Sequence, residues 1–193
     1  MAVPSIKGTA FQSAHDDVHA LLARRAITQA ALELVLEAND LRLLEEKVSP
    51  ASWYPIASYD RLLRLLCEKE ARGRTQEYLI ARGVKAGERI AATGIYQQLD
   101  ASTETLGTRT GRVVVTVAGL IFNFTRWQFE RAGATLGHFS IGVEEATDFP
   151  EVARFTTQGF IQHAATRIVG RPMRATSERP LPSRIRFHVS DAK

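Results

Sequence analysis

The last third of the chain switches twice between two hydrophobic periods, and that switch restricts the fold more than any other feature. Gly137-His-Phe-Ser-Ile-Gly-Val143 alternates as a strand does, and Arg184-Ile-Arg-Phe-His-Val-Ser190 alternates again. Between them, Asp148-Phe-Pro150 opens an amphipathic helical stripe that stops at Gly170. Asp and Pro at a helix start and Gly just past its end are strong boundary chemistry. A helix bracketed by alternating strands requires a sheet to pack against, and the stretch contains no catalytic constellation.

Upstream, the apolar positions follow helical spacing. Phe11, Ala14, Val18, Leu21 and Leu22 predict a helix from about Phe11 to Arg24. Thr28 is the expected N-cap of a second helix carried by Ala31, Leu32, Val35 and Leu36 and continuing to Leu44, with a break or an extra turn near Asn39-Asp40. Ser49-Pro-Ala-Ser-Trp-Tyr-Pro55 reads as a turn, because a residue before proline is pushed out of the helical region. A third helix follows, with Ile56, Tyr59, Leu62, Leu63, Leu66 and Cys67 on one face. A fourth is expected over Thr75–Leu99, interrupted or bent at Gly83, Gly87 or Gly94, since glycine costs a helix interior about 1 kcal/mol relative to alanine.

Residues 112–124 carry two signals. Their β-branched content argues for a strand. Val113, Val114, Val117, Leu120, Ile121 and Phe124 sit at helical spacing, however, and the run is long for a strand, so a buried helix is favoured. Arg126–Arg131 is then the first strand, turned at Gly133 and Gly137 into the next. Helices first and strands late, with no visible repeat or linker, predict one α+β domain over residues 1–193 with an antiparallel sheet of about four strands in its C-terminal half.

Composition sets the environment. With 45% hydrophobic and 24% charged residues, the 193-residue chain has the balance of an ordinary globule. One cysteine, Cys67, leaves no internal disulfide, which agrees with a reducing compartment. The N-terminus lacks the charged region and apolar core of a secretory signal, and the apolar run Val113–Phe124 is too short to span a bilayer. A cytoplasmic location without a membrane span is expected. The net charge of +4 is unevenly spread: residues 152–193 hold eight Lys/Arg against two acids. Such asymmetry can mark an acidic partner or nucleic acid, although spaced arginines also suit a solvated sheet face.

The paired strands, the proline-started helix ending at Gly170, Arg171-Pro-Met-Arg174 and the closing alternating strand resemble the TRAPP-like superfamily. That group includes vinyl-reductase-like ligand-sensing domains, haem-nitric-oxide-binding domains and vesicle-tethering subunits. Lys7-Gly8, Trp53-Tyr54-Pro55 and Phe160–Gly170 look most like an uncharacterised bacterial family of similar length within or near it. The resemblance implies a TRAPP-like α+β fold, homodimers and an apolar internal pocket. The chain also departs from it. Vinyl-reductase-like domains place zinc-binding cysteines near the end of the last helix and strand, where this chain has Gly170, Met173, Thr176 and Ser177. The haem-binding branch needs a proximal histidine and a Tyr-x-Ser-x-Arg string; no such string occurs, and Tyr54-Pro-Ile-Ala does not replace it. No cofactor is therefore expected.

Candidate chemistry is sparse. His15-Asp-Asp-Val-His19 places two imidazoles one helical turn apart, a spacing that can chelate zinc, but a closed site needs four ligands and no third is evident. Cys67 lies in register with Leu63 and Leu66 and reads as a packed thiol. Glu33, Glu37, Glu45 and Glu46 sit beside basic residues as on a solvated ion-pair face. No phosphate-binding glycine loop or nucleophile elbow is present. Trp53, Tyr54, Trp127, Phe160 and His163 are the candidate lining of a ligand pocket, with Gln158 and Arg167 as further polar groups. Arg184, Arg186 and His188 share one face of the final strand.

These readings predict a non-enzymatic, homodimeric regulatory or sensory module, holding a small apolar ligand or meeting a signalling partner. The alternatives are an interaction scaffold without a ligand and, less favoured, a nucleic-acid-binding protein that uses its basic C-terminal strand.

Overall fold

The computed structural model describes residues 3–92, 106–131 and 138–192. Its N-terminal layer is helical. A short strand β1 (Ser5–Lys7) leads into α1 (Gly8–Ala23), whose buried stripe of Phe11, Ala14, Val18 and Leu21 has the predicted spacing. α2 (Gln29–Val35) starts as expected at Thr28, whose hydroxyl accepts the Ala31 N–H at 3.2 Å. α3 (Ala38–Glu45) follows. The break falls at Leu36-Glu37 rather than near Asn39-Asp40. Asp40 instead closes a capping box with Glu37 inside the first turn of α3.

Trp53-Tyr54-Pro55 is not a turn but strand β2, paired antiparallel with β1 (Ser5↔Pro55, Ile6↔Tyr54, Lys7↔Trp53). Proline is tolerated there because this two-stranded ribbon is all edge. α4 (Ile56–Glu70) then buries Leu62, Leu63, Leu65 and Leu66. α5 (Thr75–Ala92) runs unbroken through Gly83 and Gly87, so neither glycine interrupts the helix. Gly94 and Leu99 lie outside the described residues, as do Gly133 and Gly137, where a turn was expected.

The ambiguous apolar run is helical, as favoured: α6 (Leu106–Ile121) buries Val113, Val114, Val117 and Ala118 and leaves Leu120 exposed. β3 (Arg126–Arg131) and β4 (Phe139–Glu144) pair antiparallel. A 3₁₀ turn over Ala146–Asp148 precedes α7 (Glu151–Val169). Pro150 caps the start of α7, and Gly170 ends it at φ 76°, the left-handed conformation for which glycine carries no Cβ penalty. β5 (Met173–Leu181) and β6 (Arg184–Asp191) complete a four-stranded antiparallel sheet of order β3-β4-β6-β5. The α+β class and the sheet of about four strands agree with the expectation from sequence.

Alternation splits this sheet into two faces. Trp127, Ile141, Ile185, Phe187 and Val189 are buried toward the helices. The other face carries Glu130, Glu144, Glu178, Arg184, Arg186 and His188. α5 and α7 cross at the centre of the molecule, and α6 packs on α7 and β3. No helix among the described residues is long and apolar enough to cross a membrane.

Candidate ligand cavity

A cavity of about 260 Å³ opens between α1, α5, α6 and α7. Its existence follows from how α5 is placed. The Gly83 and Gly87 side of α5 lies flush against α7, so Arg82, Ala86, Arg89 and Ile90, which recur at helical spacing, are turned to the open space. α6 contributes Val114, Ala118 and Ile121, followed by Phe122, and these form an apolar wall. α7 adds Ala153 and Phe160 together with the hydroxyls of Thr156 and Thr157. Facing them are Thr9, Gln12 and Ser13 of α1 and the two arginines of α5. The cavity is therefore mixed: its α6 side is apolar, whereas α1, α5 and α7 each set polar side chains beside apolar ones.

The polar side has distinct electrostatics. Arg82 is mostly buried and both its terminal nitrogens are engaged: its Nη1 donates to Asp17 Oδ2 at 2.5 Å and to Tyr78 Oη at 3.2 Å, and its Nη2 donates to the Ser13 carbonyl and hydroxyl. Arg89 lines the same cavity, is exposed, and has no acidic partner among the described residues. Tyr59 presents a buried phenol to the cavity; burial pushes its pKa up, against the pull of Arg82 and Arg89, so the hydroxyl stays protonated at neutral pH.

Of the five pocket residues chosen from sequence, Phe160 lines this cavity and the others lie elsewhere. Trp53 is 42% exposed and receives Lys7 Nζ 4.5 Å from its ring centroid. Tyr54 stacks on Phe11 with centroids 4.5 Å apart and accepts the Ser49 N–H. Trp127 sits in an aromatic cluster with Phe122, Phe149 and Phe187 and donates to Thr125 Oγ1. His163 packs against Gly87, and its Nε2 is buried without a partner. Gln158 faces the sheet, donating to the Ala175 carbonyl and accepting from the Ser177 hydroxyl, and Arg167 is exposed.

The remaining candidates are engaged in local structure. Arg184 meets Glu130 and Glu144, and Arg186 meets Glu130 and Glu178. The cations of the C-terminal strand are thus neutralised within the sheet face. His188 Nδ1 lies 3.0 Å from Ser140 Oγ and its Nε2 3.2 Å from Glu178 Oε1. That order resembles a nucleophile–base–acid relay. Ser140 is only 7% exposed, however, and β4 lies between two strands whose ladders occupy its backbone N–H groups, so no oxyanion donor faces the hydroxyl. The His15 and His19 rings lie with centroids 4.5 Å apart, tilted by 53°; His19 Nε2 pairs with the Leu44 carbonyl. No cluster of three or more metal-ligating side chains occurs among the described residues. Cys67 is a buried free thiol whose pKa burial pushes up, the opposite of an activated nucleophile.

Arg82, Arg89, Tyr59 and the α6 wall were not among the pocket residues expected from sequence. The usable signal was the α5 stripe, in which two arginines share a face with alanine and isoleucine.

No protein-family model and no curated protein matches the chain. Solved structures do. An H-NOX mutant from T. tengcongensis superposes with a TM-score of 0.62 at 11% identity, covering 95% of this chain and 96% of the other. An H-NOX protein from S. oneidensis, solved in the Fe(II)NO ligation state, gives 0.61 at 12% identity, with 97% and 100% covered. The unliganded Fe(II) form of an H-NOX mutant from K. algicida gives 0.60 at 14%, with 97% of each chain covered. These matches overturn the TRAPP-like, vinyl-reductase-like resemblance. Its signals, Pro150, Gly170 and the alternating strands, are boundary chemistry shared by many folds that pack a helix on an antiparallel sheet. The chain is similar over nearly its whole length to H-NOX domains, and that likeness is one of fold.

Proposed function

We propose that this chain is a non-enzymatic ligand-sensing module in which the helix-walled cavity takes a small, largely apolar molecule instead of haem. The observation that carries the reading is the cavity itself, formed between α1, α5, α6 and α7, with an apolar α6 side and polar groups among the residues of the other helices. Its volume lies just under the roughly 300–1,000 Å³ usual for drug-sized ligands, so its occupant is small. A fold likeness to H-NOX domains, one of them solved with Fe(II)NO bound, supports a sensory rather than a catalytic role.

Haem is the group that the H-NOX comparison brings with it, since one matched structure concerns heme distortion in that family. The residues present do not fit it. An iron porphyrin needs an axial donor such as histidine, cysteine, methionine or tyrosinate. The cavity wall has no imidazole, thiol or thioether among the described residues, and the described α6 side chains that line it are Val114, Ala118 and Ile121. Its one phenol, Tyr59, is held neutral by burial. Residues 93–105 and 132–137 contribute no histidine, cysteine or methionine to the sequence, and their one tyrosine is Tyr96.

Two measurements test the reading. A panel of small apolar compounds screened by thermal unfolding is expected to contain members that raise the melting temperature. Saturation at 100 times Kd is worth about 2.7 kcal/mol. For a domain of this size that corresponds to roughly 5–10 °C. Val114→Phe, which fills the cavity from the α6 wall, is expected to abolish those shifts while leaving the protein folded. A panel with no stabilising member, or purified protein carrying stoichiometric haem with a Soret band, rejects the proposal.

A further inference from the structure

Resting on the cavity reading above, we infer that the ligand is a small monocarboxylate with an apolar body, its carboxylate held by Arg89 at the rim and its chain lying against α6 and Phe160.

The two arginines of the polar wall separate into roles. Arg82 is committed to the fold, because Asp17 balances its charge and Ser13 and Tyr78 accept from its two terminal nitrogens. Arg89, two turns further along the same face of α5, lines the cavity without an acidic partner among the described residues. A guanidinium is a forked donor that matches a carboxylate with two parallel hydrogen bonds. Gln12, exposed on α1, lines the same rim and offers a neutral amide. The deeper wall is apolar: Ile6, Val114, Ala118 and Phe122 are buried and line the space.

Charge and depth thus select one class of molecule. A neutral hydrocarbon leaves Arg89 unused, and a dianion brings a charge that Arg82, already paired, does not balance. A cation meets a cavity whose unpaired charge is positive. A monocarboxylate with an alkyl or aryl body matches both ends.

Octanoate, 1-octanol and octanamide are suitable probes, because they share a chain and differ in the head. Isothermal titration calorimetry at pH 7.5 is expected to show octanoate binding about tenfold more tightly than the two neutral probes, the scale of one charge-assisted hydrogen-bonded pair. In Arg89→Gln that preference is expected to vanish while 1-octanol binding is unchanged, and Arg89→Lys is expected to keep part of it. Because Arg89 has no ion pair among the described residues, the melting temperature of the variant should match the wild type. Equal binding of all three probes by the wild type, or a preference that survives Arg89→Gln, overturns the inference and leaves the cavity reading standing. Failure of every probe to bind, together with a panel that gives no thermal shift, overturns both.

Discussion

Gly159→Val is expected to lower the melting temperature by roughly 6–12 °C, the counterpart of about 3 kcal/mol of overpacking strain in a domain of this size. A Cβ at Gly159 would sit 1.9 Å from the Ile80 carbonyl oxygen and 2.8 Å from the carbonyl carbon. Across the same crossing, a Cβ at Gly83 would meet the Thr156 carbonyl oxygen at 1.8 Å and the Phe160 nitrogen at 2.8 Å. α5 and α7 therefore approach backbone to backbone, each glycine receiving the other helix. These obstacles are main-chain atoms, which cannot rotate aside. The usual gain of about 1 kcal/mol on removing a helical glycine is too small to offset them.

Gly119, exposed on α6, supplies the opposite case, because a Cβ added there would meet no atom within 4 Å. Gly119→Ala is expected to raise stability by up to about 1 kcal/mol. Thermal unfolding of the two variants should move in opposite directions. A Gly159→Val protein as stable as the wild type would mean that α5 and α7 do not pack this closely. The same crossing sets Arg82 and Arg89 of α5 opposite Thr156 and Phe160 of α7 across the cavity. Forcing the helices apart should therefore also weaken ligand binding in any Gly159 variant that still folds.

What the sequence disclosed follows from where the information is local. Pro150 and Gly170 mark the ends of α7 because cap chemistry acts within one turn, and Thr28 marked α2 for the same reason. The break between α2 and α3 was displaced because its cap is Glu37, an acid, while Asp40 is the third residue of the capping box and not its start. β1 and β2 are three residues each, too short for alternation to register, and Pro55 suggested a turn. Gly83 looked like a break because propensity is a property of the helix alone, whereas its reason lies on α7. The cavity was hidden by a related limit. Large aromatics announce burial but not what they pack against, so Tyr54 and Trp127 fill the core while small residues such as Ala86 and Ala118 leave the space open.

Removing Asp40 is expected to cost about 3 kcal/mol. This carboxylate is 1% exposed, on α3, and it accepts Arg61 Nε at 2.5 Å, Arg61 Nη2 at 2.9 Å and the Glu37 N–H at 3.0 Å. Asp40→Ala strips the α3 cap and leaves the half of Arg61 that faces Asp40 without its acceptor. Breaking a buried pair from one side usually costs about 3–5 kcal/mol. The lower figure applies because Arg61 is partly exposed and keeps Glu37 at 2.9 Å. The double variant Asp40→Ala/Arg61→Ala should be less destabilised than the sum of the single ones, since no orphaned guanidinium remains.

The same pair fixes a pH dependence. Burial raises the Asp40 pKa, but the Arg61 hydrogen bonds, the Ser58 hydroxyl and the Glu37 N–H outweigh it and hold the carboxyl below its ordinary value. A carboxyl more acidic folded than unfolded contributes its full stability above its unfolded pKa and loses it as pH falls through the folded value. The window therefore lies below about pH 4. Glu70, held low against burial by the Tyr78 hydroxyl and then Arg24, and Glu151, held low against burial by Arg154 and Arg179, add to the same slope. Melting temperatures measured from pH 7 downward should fall steeply below pH 4 in the wild type and less steeply in Asp40→Asn, which keeps an acceptor for the cap but has no proton to take up. Parallel curves for the two proteins would show that Asp40 carries no special proton linkage, and that the Arg61 contact is worth no more than an exposed ion pair.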